Sequence, residues 1–145
     1  MEQTVFDIII MGGGHAGVEA TYAAAQFGLN VALISMPDVP LASAPCNPSI
    51  GGVGKGQVVR EIDAMGGIMG FLADRAGIQF RTLNESKGYA VHSTRVQIDK
   101  EKYSEIATCV LNQISNLKII YQKINQVKKS NDQDYFIIET ENGWS

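Results

Sequence analysis

A surplus of charge is missing from this sequence: 12 lysines and arginines stand against 15 aspartates and glutamates, for a formal net charge of −3. Proteins that coat nucleic acid are basic, so any meeting with RNA needs a local patch or chain beyond these residues. Long apolar runs are missing too. The stretch at residues 6–11 falls far short of the roughly 20 residues of a membrane helix, so no membrane span is expected. The N-terminus lacks the charged, apolar and small-residue succession of a signal peptide. Cysteine is scarce. Cys46 and Cys109 make no disulfide framework, and a reducing, cytoplasmic setting is the expectation. No metal site is expected. What remains is ordinary for a globular chain: 145 residues, 45% hydrophobic and 19% charged, enough to bury a core as one domain.

Glycine is what the sequence has in concentrated form. Eight of its 15 glycines fall in two clusters, Gly12, Gly13, Gly14 and Gly17, then Gly51, Gly52, Gly54 and Gly56. Such clustering marks particular backbone needs. Residues 5–11 (VFDIIIM) form a β-branched run typical of a strand buried on both faces. Residues 15–27 favour helix, with Gly28 as a stop, and residues 30–35 read as a second buried strand. Residues 36–56 hold all four prolines and no period, which predicts a long loop of functional kind. Helical spacing returns over residues 57–72, weakened at Gly66-Gly67. Residues 78–83 alternate as a strand and 84–94 read as a polar loop. A helix spans 100–114 behind Asp99 as N-cap. A strand covers 117–122, and 125–129 with 135–141 read as a hairpin turning at Asn131-Asp132. The expected fold class is α/β: an incomplete Rossmann-like domain with a parallel sheet, helices and a β hairpin.

The first cluster reads Gly12-Gly13-Gly14-His15-Ala16-Gly17, which fits G-x-G-x-x-G between a strand and a helix. In that pattern the first glycine permits the tight turn, the second lets a pyrophosphate approach the backbone, and the third lets helix and strand pack closely. Free N–H groups at the helix start then hold the anion. A glycine-rich turn without ligand is the plain alternative. The acidic residue that NAD-binding units place at the end of the second strand is replaced by Ser35 and Met36. The turn alone fits FAD and NAD equally. The second cluster is no Walker loop, because Lys55 is followed by Gly56 and not by Ser or Thr.

Three runs together resemble one family. They are the glycine turn, the run Pro45-Cys46-Asn47-Pro48-Ser49-Ile50-Gly51-Gly52-Val53-Gly54-Lys55-Gly56 with Val59-Arg60-Glu61-Ile62-Asp63-Ala64-Met65-Gly66-Gly67, and Ala76-Gly77-Ile78-Gln79-Phe80-Arg81-Thr82-Leu83-Asn84 with Ser86-Lys87-Gly88. Covering residues 5 to 98 almost without a gap, they are similar to the MnmG/GidA family of tRNA-modifying flavoenzymes. Tyr89 stands where the family has proline. The resemblance implies that residues 1–145 are the N-terminal part of an FAD/NAD(P)-binding domain of glutathione-reductase-like fold, with the family's other domains outside this chain.

It further implies FAD as cofactor, with NADH and methylenetetrahydrofolate as co-substrates. Together with its partner MnmE, the family builds a (carboxymethyl)aminomethyl group on C5 of the wobble uridine of tRNA, as a homodimer. Carried over by position, Gly12, Gly13, Gly14, His15, Ala16 and Gly17 hold the FAD pyrophosphate. Ile124 offers its backbone to the adenine, and Cys46 is the cysteine required for activity. Its thiolate suits attack on C6 of the uridine, although a structural thiol is the alternative. Cys109, between Ile106 and Val110, reads as core. His92 is left open. Lys55, Arg60, Lys87 and Arg95 suit flavin phosphate, tRNA or plain solvent. Other readings that share the glycine turn are a folate- and FAD-dependent tRNA uridine methyltransferase, which lacks the 46–56 run, a disulfide oxidoreductase, which needs a cysteine pair, and a non-catalytic FAD-binding module. Alone, the segment is expected to be inactive.

Overall fold

The computed structural model describes residues 4–131 and 134–142. Along the chain run β1 (Ile8–Met11), α1 (His15–Gln26), β2 (Val31–Ser35), β3 (Ser49–Gly51), α2 (Lys55–Ala64), α3 (Met69–Ala76), β4 (Gly77–Leu83), β5 (Ser93–Ile98), α4 (Lys100–Asn112), β6 (Leu117–Tyr121), β7 (Ile124–Lys129) and β8 (Phe136–Thr140). Three sheets form. β1, β2 and β6 make a parallel sheet in the order β1-β2-β6, β3, β5 and β4 an antiparallel one in the order β3-β5-β4, and β7 and β8 a hairpin. The architecture is the expected α/β class. Asp132, half of the expected hairpin turn, lies outside the described residues.

β2 is the centre. All five of its residues are buried, because α1 and α4 cover one face and the hairpin covers the other. Leu33 packs with Val18, Tyr103, Ala107 and Leu111, whereas Ala32 and Ile34 meet Ile120 and Ile138. Each large apolar side chain so buried contributes roughly 1.5–3 kcal/mol.

Five expectations change. The first strand is not buried on both faces: Met11 is 54% exposed, since β1 pairs only with β2 among the described residues and so forms the sheet's edge. The helix expected over 57–72 is two helices. Gly66 takes φ +84°, and no side chain fits at Gly67 beside Ile62, so the chain turns there and starts again. The polar loop of 84–94 gives way at Ser93 to β5, and the 36–56 loop contains β3, which pairs with β5. Cys109 is exposed. The buried row of α4 is Tyr103, Ala107 and Leu111, and residue 109, two positions from 107, points about 200° away from it.

The restart of the helix has its own device. The Ile68 and Met69 amides, at the open start of α3, donate to the Glu19 carboxylate at 3.0 and 2.5 Å. A side chain of α1 therefore caps α3.

Candidate functional site

All three strands of the parallel sheet end on the same side. The glycine turn leaves β1 there, Ser35 closes β2, and the chain after β6 bonds back through Gln122 N–H to the Ser35 carbonyl at 2.9 Å. Open parallel sheets bind ligands at these carboxyl ends.

Each glycine of the turn has a distinct physical reason. Gly12 adopts φ +104°, a conformation side chains resist. A Cβ on Gly17 would collide with the Gly12 carbonyl oxygen, so helix and turn approach only as glycine allows. Gly13 is wedged against Leu41 and Ser35, and its carbonyl accepts the Ala42 amide at 2.8 Å. Gly14 differs: a Cβ there meets nothing within 4 Å. It faces open space at the N-cap of α1, and no side chain caps that helix. The first-turn amides of His15, Ala16 and Gly17 are thus left for an anion. The turn fits a pyrophosphate, both in the room above Gly14 and in its donors.

His15 starts α1. Its ring meets Tyr103 edge-on at 5.6 Å, and its Nδ1 is buried without a partner in the described structure. Burial pushes its pKa below the ordinary value, against an opposing pull from Glu19. Burial, with Glu19 adding to it, also pushes the Tyr103 hydroxyl upward.

From His15 a cleft of about 620 Å³ runs to β3 and the start of α2, lined also by Asn47, Ser49, Lys55 and Arg95. The structure thereby brings the two glycine clusters of the sequence to one place. Cys46 is exposed and unbridged, directly before the lining residue Asn47. Ile124 is not at this cleft. It opens β7, half-buried against the second core cluster. Among the other residues left open, His92 Nε2 lies 3.2 Å from the Lys87 carbonyl, and Arg60 donates to Thr94 at 3.1 Å. What the sequence concealed was Arg81: nothing local says that it would stand directly opposite Arg95 across β4 and β5.

A βαβ unit with a glycine turn of this geometry, at the carboxyl end of a parallel sheet, defines a protein of the dinucleotide-binding α/β class. Comparison narrows the class to one family. The profile described as glucose inhibited division protein A matches residues 7–144, and the chain belongs to that family. The tRNA uridine 5-carboxymethylaminomethyl modification enzyme MnmG of Metamycoplasma arthritidis is 49% identical over 138 residues, 95% of this chain and 23% of that protein. A structure of Aquifex aeolicus GidA superposes with a TM-score of 0.89 at 43% identity, over 96% of this chain and 23% of that one. PqsL of Pseudomonas aeruginosa, a probable FAD-dependent monooxygenase, shares the fold at a TM-score of 0.64 and 15% identity, over 95% of this chain and 39% of that one. The chain spans less than a quarter of the length of these family relatives. Among the described residues no helix is long and apolar enough to cross a membrane, and no cluster of His, Cys, Asp and Glu is arranged to hold a metal ion.

Proposed function

We propose that residues 1–145 are the dinucleotide-holding part of an FAD-dependent enzyme that modifies the wobble uridine of tRNA. The observation that carries this is the glycine turn, tight at Gly12 and Gly17 yet open above Gly14. Gly12, Gly13, Gly14, His15, Ala16 and Gly17 hold the FAD pyrophosphate: Gly12, whose N–H is bonded to the Ile34 carbonyl, shapes the turn, and His15, Ala16 and Gly17 offer their first-turn N–H groups, while the Ile124 backbone meets the adenine. When bound, the flavin supplies hydride chemistry, taking its electrons from NADH. Cys46, exposed beside the cleft, is the nucleophile. As thiolate it adds to C6 of the uridine, so that C5 gains carbanion character and attacks the methylene carbon of methylenetetrahydrofolate as that carbon's bond to the folate nitrogen breaks; loss of the C5 proton then expels the Cys46 thiolate. The name of the Metamycoplasma relative supports the tRNA substrate. The complete enzyme works in the cytoplasm as a homodimer with MnmE.

The test is Gly14→Val. The fold accommodates it, since Gly14 has φ −71° and open space around its Cβ position, but the valine occupies the pyrophosphate's place. By calorimetry the wild-type chain binds FAD and ADP with similar affinity, and the variant binds neither. Equal binding by both proteins refutes the cofactor site.

A further inference from the structure

The antiparallel sheet carries a feature that the cofactor site does not use. Arg81 on β4 and Arg95 on β5 are direct cross-strand partners. Strand alternation puts both on the face opposite to the one where Val96 and Ile98 are buried. Gln79 and Gln97 form the next pair along that face. Like charges placed directly opposite destabilise a sheet. Neither guanidinium has a hydrogen bond or ion pair among the described residues. Lys123, Lys128 and Lys129, in and beside the hairpin, are by contrast ion-paired with Glu141, Glu139 and Asp134.

The surroundings sharpen the sign. Arg95 and Lys55 both line the cleft that His15 reaches, and no carboxylate lines it. A chain of net charge −3 thus sets two basic side chains along one cleft wall. Two arginines at directly paired positions on one sheet face are suited to donate together to phosphate oxygens. β4 is the outer strand of its sheet and Arg81 is exposed, so the pair is open to an extended chain lying across the strands. The glycine turn already offers a separate place for a dinucleotide's pyrophosphate.

We propose that Arg81 and Arg95 grip the phosphodiester backbone of an RNA strand and so hold a nucleotide at the mouth of the His15–Lys55 cleft. This rests on the tRNA reading above and names the surface that it lacks. The pair positions the strand and takes no part in the chemistry.

The experiment measures fluorescence anisotropy of a labelled anticodon stem–loop RNA over a salt series, with the 145-residue chain as wild type, Arg81→Gln, Arg95→Gln and Arg95→Lys. Circular dichroism checks folding, and FAD and ADP titrations run in parallel. Each glutamine variant weakens RNA binding about tenfold and lowers the slope of log affinity against log salt by roughly 0.7. Arg95→Lys keeps the slope and loses part of the affinity. FAD and ADP affinities do not move. Lys102→Gln, which removes an exposed charge from α4, leaves RNA binding unchanged. Three results overturn the proposal: no RNA binding by wild type, equal losses in Lys102→Gln, or loss of FAD and ADP binding in the arginine variants, which would give the pair to the dinucleotide. Failure of FAD binding by the wild type, with the arginine dependence intact, would strike the cofactor reading alone.

Discussion

Gly14 and Gly17, three residues apart in one turn, have opposite tolerances. Gly14 looks onto empty space, whereas a methyl group on Gly17 would enter the Gly12 carbonyl oxygen. Gly17→Ala is expected to cost roughly 1–3 kcal/mol in urea unfolding, and Gly14→Val well under that. If the two cost the same, the close approach at Gly17 is not what the turn requires. His15 gives a second residue-scale expectation. Its pKa in the folded chain lies below the ordinary 6.5, chiefly through burial. The unfolded chain therefore takes up this proton at a pH where the folded chain does not. Stability from this group is complete above about pH 6.5 and is lost as pH falls below it, down to the folded pKa. Subtracting the pH profile of His15→Gln from that of wild type should leave a curve that rises with pH and levels near 6.5. A flat difference would mean that burial does not perturb the ring. The roles of these glycines were legible because strand, turn and helix are contiguous in sequence. The setting of His15 was not, because Tyr103 comes to it from α4.

At the scale of elements, what reads well is what is decided locally. Alanine-rich α1, the apolar run of β2 and the Asp99 cap of α4, which accepts the Glu101 and Lys102 amides, all follow from neighbours in the chain. β3 and β5 do not. β3 has three residues and exists because β5 pairs with it, and β5 (STRVQI) hides its buried Ser93 among polar letters. Ser93 is held by its hydroxyl, which donates to the Gly52 carbonyl at 2.5 Å, a partner 41 residues away. The start of α3 is equally non-local, since its cap is Glu19. Losing a cap costs about 1 kcal/mol, and the carboxylate's charge at a helix N-terminus adds to it. Glu19→Ala is accordingly expected to lower the urea midpoint by at least that equivalent. Glu19→Gln, which keeps an acceptor, should recover part of the loss. If neither moves the midpoint, the cap is ornamental and the break at Gly66 alone sets where α3 begins.

For the whole molecule, the 145 residues assemble a three-stranded parallel sheet whose first strand keeps one edge unpaired among the described residues, and they match less than a quarter of each family relative. The chain alone is expected to make no C5-modified uridine when supplied with tRNA, NADH, methylenetetrahydrofolate, glycine or ammonium, and MnmE. Mass spectrometry of the digested tRNA decides this, and any C5 product counts against it. Within the molecule, α1 has two attachments about one helical turn apart: the free amides of its first turn and the Glu19 carboxylate on α3. Occupancy of the turn and integrity of the Glu19 cap are then expected to be linked, and whatever steadies one is expected to steady the other by the same factor. Ile68 and Met69, 49 and 50 residues from Glu19 in sequence, become remote reporters. Adding ADP should slow hydrogen exchange at their amides in wild type and leave it unchanged in Gly14→Val.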